Sequence, residues 1–382
     1  MLPQTSQGRL VGRAGELARL LARLDEATSG QAVVALISGD AGVGKTRLVT
    51  ELTRLAGERG FTVLSGRCAE LGDSVPYLPL ADALRGAAHA TSATPAAAPL
   101  LDALASRPVL GRLLPDQGTG EPADGDGSGL ARQQLFGAVL GLLAELAGAA
   151  PVLLVLEDLH WADRSTRDLV TFLSRVLHRE RIAVVGSYRS DDLHRRHPLR
   201  PVVAELLRLP AVTSVDLGPL DSSAMAEHLS ALAGNHLEAA VLNGIVARAE
   251  GNAYYAEELL SASADTKALP AGLAALLLGR VERLSGPAQQ VLRVAAVAGR
   301  RADDELIREI SGMPAAAYED AVREAVAQQL LVPDGAEGYA FRHALLREAV
   351  YADLLPGERT RLHAALAALL SDAERRGTAA AG

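Results

Sequence analysis

Eight residues, Gly39-Asp40-Ala41-Gly42-Val43-Gly44-Lys45-Thr46, constrain this chain more than any others. They stand between a β-branched apolar run, VVALIS at 33–38, and the helix-forming stretch KTRLVTELTRLAGE at 45–58. Glycines let successive backbone N–H groups curl inward without Cβ clashes. The helix start adds partial positive charge. Lys45 supplies a compact ammonium, a point charge that a planar guanidinium does not replace. Thr46 supplies a hydroxyl suited to Mg2+. The pattern G-x-x-x-x-G-K-[ST] between a strand and a helix therefore reads as a phosphate-binding loop, with Gly39, Ala41, Gly42, Val43, Gly44, Lys45, Thr46 and Arg47 facing a nucleotide. Only Lys45 and Lys267 are lysines in a chain with 38 basic side chains, so the placement of one of them here is pointed.

The flanking pattern agrees. FTVLSG at 61–66 completes a βαβ unit. VLLVLE at 152–157, IAVVGSYR at 182–189 and TSVDLGPL at 213–220 read as further strands, separated by helices predicted at 130–148, 165–179 and 198–208. Runs apolar on both faces belong to buried parallel strands. The fold class expected is α/β, a doubly wound parallel sheet of the P-loop NTPase kind, binding its ligand at the carboxyl ends of its strands. Helical periodicity covers 10–29, and Ala/Leu-rich helical segments cover 76–114, broken by Pro95, Pro99 and Pro108. Residues 115–129 are too polar to pack and read as a mobile loop.

After Pro219 only helices are expected, over 221–278. Helices near 286–298, 303–311 and 315–329 then precede two short strands around Asp334-Gly335 and a helix at 344–353, which is the winged-helix order. The division expected is a nucleotide-binding domain at 1–220, a helical domain at 221–278, a winged-helix domain at 279–370 and a frayed tail at 371–382.

Two further groups carry chemistry. Glu157 and Asp158 end an apolar strand read as the neighbour of the loop strand. One of them can hold Mg2+, and the other can orient and deprotonate an attacking water. Arg189 ends the next strand and would sense a terminal phosphate, unless it pairs with Asp191 or Asp192 instead. In the sequel Leu159-His160-Trp161-Ala162-Asp163, Trp161 reads as a packing residue and His160 as structural.

Composition narrows the partners. The net charge is −8, against a nucleic-acid coat or an anionic membrane surface as partner of the whole chain. A single cysteine, Cys68, excludes an internal disulfide and fits a reducing, cytoplasmic setting. No signal peptide and no bilayer-spanning run are expected.

Taken together, VGR at 11–13, GDAGVGKTRL at 39–48, VLLVLEDLHWAD at 152–163, SYR at 187–189, GNAYYAEELL at 251–260 and FRHALLREAVYADLL at 341–355 follow the order seen in STAND-class signalling ATPases. The chain most resembles the N-terminal ATPase part of the large ATP-binding LuxR-type transcriptional regulators, over about residues 9–370. The resemblance implies a switch that holds ADP when closed, assembles with itself on ATP and is reset by slow hydrolysis. It places Gly42, Gly44, Lys45 and Thr46 on phosphates and Mg2+, Glu157 and Asp158 in the acid pair, and Arg189 as sensor. It further places Val11, Gly12 and Arg13 near the adenine and His343 on the ADP β-phosphate, although His343 could equally cap a strand–helix junction.

The chain departs from the family where Glu157 replaces an aspartate, which leaves open which acid partners Mg2+, and where Ala253 replaces a proline that packs on the base. Regulators of this kind continue through a helical-repeat sensor to a DNA-binding helix-turn-helix, and residues 1–382 hold neither. Two alternatives are an origin-recognition-like AAA+ ATPase acting on DNA and a P-loop kinase. The first needs a basic wing. Residues 276–382 carry 13 arginines against 15 acids, so no direct DNA binding by this chain is expected.

Overall fold

The computed structural model describes residues 10–70, 75–91, 98–111, 113, 129–233, 237–262, 268–335 and 337–380. The segment 115–129, read as a mobile loop, lies outside them apart from Gly129. The chain divides into two compact units that meet in sequence at Gly218 and Pro219.

The first unit contains α1 (Ala14–Thr28), β1 (Val33–Gly39), α2 (Lys45–Glu58), β2 (Thr62–Arg67), α3 (Leu78–Thr91), α4 (Ala98–Ala105), α5 (Pro108–Gly111), α6 (Gly129–Ala149), β3 (Val152–Glu157), α7 (Arg164–Val176), β4 (Ile182–Ser187), α8 (Leu199–Leu206) and β5 (Val212–Leu217). Its five strands are all parallel, in the order β2-β3-β4-β1-β5. Every residue of β1, β3 and β4 is buried, which is why these strands read as continuous apolar runs. Val33, Ala35 and Ile37 pack under Leu20 and Leu24 of α1 and Leu48 and Leu52 of α2. Val34 and Leu36 face the opposite layer, with Leu80 and Leu84 of α3, Leu142 and Leu146 of α6 and Leu169 and Leu173 of α7. Leu48 and Leu52 are fully buried, and each such side chain contributes about 2 kcal/mol, so α2 is fixed firmly behind the glycine loop. Gly66 is obligatory in β2, because a Cβ there would lie 1.8 Å from Pro79 O in the first turn of α3.

One expectation is corrected. The strand that ends in Glu157 and Asp158 is not the neighbour of the loop strand, because β4 lies between β1 and β3. The chain after β4 therefore stands directly beside the loop, and the two acids approach from one strand further out.

The second unit contains α9 (Ser222–Ala233), α10 (Ala239–Ala249), α11 (Ala253–Ser261), α12 (Ala271–Glu282), α13 (Gly286–Ala298), β6 (Arg301–Asp303), α14 (Asp304–Ser311), α15 (Ala315–Ala327), β7 (Leu331–Asp334), β8 (Gly338–Phe341), α16 (Ala344–Asp353) and α17 (Pro356–Ala380). Helix α17 continues through the segment read from sequence as a frayed tail. Helix α13 packs on α14, α15 and α16 through the buried Val291, Leu292 and Ala295. The strands form an antiparallel sheet in the order β6-β8-β7. Strand β6 is an addition to the two strands expected. Its three residues bury only Ala302, and Asp303 at once caps α14 by accepting hydrogen bonds from Glu305 and Leu306 N–H. Among the described residues no helix is long and apolar enough to cross a membrane.

Candidate nucleotide site

The site forms at the carboxyl ends of β1, β3 and β4. Strand β1 ends at Gly39, whose φ is +149° and whose Cβ, if present, would meet Leu217 O at 2.7 Å. Gly42 and Gly44 also have positive φ, and Gly44 is the left-handed residue that opens α2. With glycine there, no side chain competes for the first amides of the helix. Lys45 is 7% exposed, and its Nζ donates to Gly39 O and Asp40 O, each at 2.8 Å. Burial lowers its pKa. The carboxylate of Asp191 opposes that shift, the Arg189 charge adds to it, and Asp158 and Asp40 oppose it. The result is a buried ammonium clasped by its own loop. Thr46 is exposed and Arg47 half-buried at the same helix start.

Arg13 is the buried brace of the loop. Its guanidinium donates to Val43 O at 3.1 Å and Gly218 O at 2.5 Å, and pairs with Glu16 at 3.2 Å. Gly12 takes φ +66°, and Val11 is buried. Of these three residues, Arg13 is the one bonded to the loop.

Glu157 ends β3 and is 8% exposed. Its Oε1 accepts from Arg67 Nη2 at 3.1 Å, while Oε2 is buried without a hydrogen-bond partner among the described residues. Asp158 adopts φ +58°, a left-handed backbone that aspartate tolerates, and leads straight into a 3-10 turn over Leu159–Trp161. Its N–H donates to Ser187 Oγ at 3.2 Å, and its carboxylate lies 3.6 Å from Arg67 Nε. Arg67, at the end of β2, therefore serves both acids. Register places it opposite Glu157, a pairing that sequence reading missed.

His160 is buried, and its Nδ1 accepts from Arg189 N–H at 3.4 Å. The proton then sits on Nε2, which is 3.7 Å from Asp192 Oδ2. Burial, reinforced by the Arg189 and Lys45 charges, pushes its pKa down to about 3, so the ring is neutral near pH 7. It joins the end of β3 to the end of β4. Asp163 caps α7 through Thr166 N–H at 3.0 Å and accepts from Tyr77 N–H at 3.2 Å. The Arg189 guanidinium lies 3.6 Å from Asp192, the pairing left open from sequence.

The turn after β4 was also missed as a partner of the loop. Ser190 N–H donates to Gly39 O at 3.1 Å, and Ser190 Oγ to Asp40 Oδ1 at 2.8 Å. Ala41 N–H donates to Asp191 Oδ1 at 3.2 Å. Of this turn, only a pairing of Arg189 with Asp191 or Asp192 was legible in the sequence, and Asp192 is the one that lies beside it.

His343 belongs to the second unit. It opens α16, with Nδ1 4.0 Å from Glu250 and its ring edge-on to Tyr255.

The residues fit a nucleotide with Mg2+. Gly42 and Gly44 hold the loop in the positive-φ curl that turns its amides inward, and Glu157 keeps an unpartnered buried oxygen, among the described residues, at this end of the sheet. Among the described residues no cluster of three or more His, Cys, Asp or Glu could hold a metal alone. Mg2+ is commonly held by one or two carboxylates together with substrate phosphates, and Glu157 and Asp158 stand at this end of the sheet.

Comparison with known proteins agrees. Residues 9–185 match the AAA ATPase domain family (AAA_16). An uncharacterized protein of Rhizobium meliloti (strain 1021) is 28% identical over 388 residues, covering 93% of this chain and 36% of the relative. The chain thus spans about a third of the length of that curated relative. A Walker-type ATPase of Pyrococcus abyssi has a similar fold, with TM-score 0.54 and 13% identity over 89% of this chain and 96% of that one. The Orc1 protein of Aeropyrum pernix, solved in complex with DNA, gives TM-score 0.48 and 18% identity over 92% of this chain and 95% of that one. The first unit is a parallel-sheet P-loop NTPase fold. Over residues 9–185 the chain is similar to the AAA ATPase domain, and the P-loop fold of the first unit implies nucleotide binding, typically with Mg2+.

Proposed function

We propose that this chain is a nucleotide-controlled switch of the STAND class. It binds ADP and ATP with Mg2+, hydrolyses ATP slowly, and serves as the cytoplasmic ATPase module of a LuxR-type transcriptional regulator. The observation that carries this reading is how the charged groups of the site are partnered. The Lys45 ammonium is clasped by loop carbonyls, and a single arginine, Arg67, engages both Glu157 and Asp158. Acids engaged by a guanidinium must leave it before either can reach a water, which favours slow turnover.

In this reading the loop amides and Lys45 hold the phosphates, and Thr46 with Glu157 or Asp158 would hold Mg2+. When bound, the ion neutralises phosphate charge. The other acid orients and deprotonates water. Arg189 exchanges Asp192 for the terminal phosphate. The helices and three-stranded sheet of the second unit, in the order helix–strand–helix–helix–strand–strand, are read as a winged helix used for regulation and ATP-dependent self-association. With 13 arginines against 15 acids over 276–382, they offer no basic grip on duplex DNA.

The test is to extract and identify the nucleotide that co-purifies, then to measure binding and turnover. ADP retained on the chain and slow ATP hydrolysis are expected. A chain that neither retains nor binds adenine nucleotides would overturn the reading, and so would turnover at the rate of a metabolic kinase with an added acceptor. Tight binding of duplex DNA at moderate salt would move it to the DNA-handling class.

A further inference from the structure

The turn Ser190-Asp191-Asp192 touches the phosphate loop at three points and places a carboxylate on it. Asp191 is 4% exposed, and its Oδ1 accepts the Ala41 N–H at 3.2 Å. Of the carboxylates that act on the Lys45 ammonium, Asp191 has the largest effect. An amide donor and a nearby buried ammonium are what a phosphoryl oxygen seeks, so Asp191 and a phosphate compete for the same groups.

The amide in question lies on the strand side of the loop, before α2 begins. The helix start, at Gly44, Lys45 and Thr46, is the side that takes the inner phosphates. Asp158 and Arg189 stand at the ends of β3 and β4, and both act electrostatically on Lys45. A terminal phosphate must sit on that side for an acid to direct water at it. Asp191 therefore opposes the third phosphate more than the first two.

We propose that Asp191 is a specificity residue that sets the preference for ADP over ATP, and that its displacement reports the third phosphate to the turn after β4. The proposal rests on the nucleotide-switch reading above and names the group that makes the switch discriminate. Two bonds couple the displacement to the turn. Ser190 Oγ holds Asp40 at 2.8 Å, and Ser190 N–H holds Gly39 O at 3.1 Å. Moving Asp191 off Ala41 strains both.

The experiment is calorimetric titration of the whole chain with Mg2+-ATP and Mg2+-ADP, for wild type and Asp191→Asn. Asparagine keeps an acceptor oxygen for Ala41 and removes the charge. The ATP affinity is expected to rise about tenfold relative to ADP, a ratio of the size that loss of one buried charge repulsion produces, with the ADP affinity changed less than about threefold. An unchanged ratio of the two affinities would overturn the proposal, as would an equal fall in both, which would make Asp191 a brace of the loop. Wild type that binds neither nucleotide would remove the switch reading itself, a separate outcome. Should Asp191→Asn fail to fold, Ser190→Ala loosens the turn and keeps the carboxylate. It should shift the same ratio towards ATP by a smaller factor, and no shift there counts against the proposal.

Discussion

Two backbone amides, one in the loop ahead of α2 and one at the start of α16, each meet a carboxylate brought from elsewhere in their own unit, and they use it differently. Ahead of α2, Asp191 reaches the Ala41 amide, while the nearby ammonium of Lys45 is bound to loop carbonyls. At α16, Glu250 accepts the Ala344 N–H at 3.0 Å and also pairs with the Arg300 guanidinium. Glu250 is itself the left-handed residue that ends α10, with φ +49°. That acid closes one helix and opens another with its own cation attached, a finished joint. The acid at the loop bears on a cation whose hydrogen bonds go to the backbone, so an incoming anion can exchange for it. Similar anion-at-amide contacts thus make a structural corner in one place and a ligand competitor in the other.

The largest effect that can break this comparison is Lys45→Ala. It should cut nucleotide affinity a hundredfold or more, about 3 kcal/mol for a buried charge-assisted contact set, and Lys45→Arg should not restore it. Calorimetry checks both. Next, Asp158→Asn should keep ATP bound and lower turnover by about two orders of magnitude or more, with assembly favoured in size-exclusion chromatography with ATP. If Glu157→Gln gives the larger loss, the base role moves there. Arg67→Ala, by releasing both acids, should raise turnover a few-fold.

A third test uses pH. The folded pKa of His160 is about 3 against 6.5 for the free side chain, so between those values the unfolded chain binds the extra proton. Stability should therefore fall as pH drops from 6.5 towards 3, by at most about 1.4 kcal/mol per pH unit from this group. Urea melts of His160→Asn should show a shallower slope. The smallest effect is Glu250→Ala, expected to cost about 1 kcal/mol in denaturant unfolding. It removes the α16 amide partner and an ion pair that is largely exposed on its Arg300 side.

The parts of the fold that were legible were those with local causes. Gly39 to Thr46 announced the loop because strand, glycines and helix are contiguous. The apolar runs announced β1, β3 and β4 because burial on both faces leaves no polar alternation. Strand order was not legible, since alternation of strands and helices does not say that β4 inserts between β1 and β3. Strand β6 was hidden because Arg301-Ala302-Asp303 buries one small side chain. Arg67 and Asp191 were hidden because their partners, Glu157 and Ala41, lie 90 and 150 residues away in sequence. Residues that act on the loop from a distance carry no signature in their own neighbourhood. His160 was legible only as structural and Asp163 had no assigned role; the structure gives them hydrogen bonds that tie β3 to β4 and start α7.

The clasp on Lys45 has a practical consequence for anyone wishing to watch this molecule work. Lysine supplies only two side-chain amines along the chain, so an acylating reagent has few places to go. The one inside the cradle should resist modification while its carbonyl grip holds. It should gain or lose that resistance as phosphate chains of different length come and go, so a mass-spectrometric count of a single tagged peptide would follow which of them is bound.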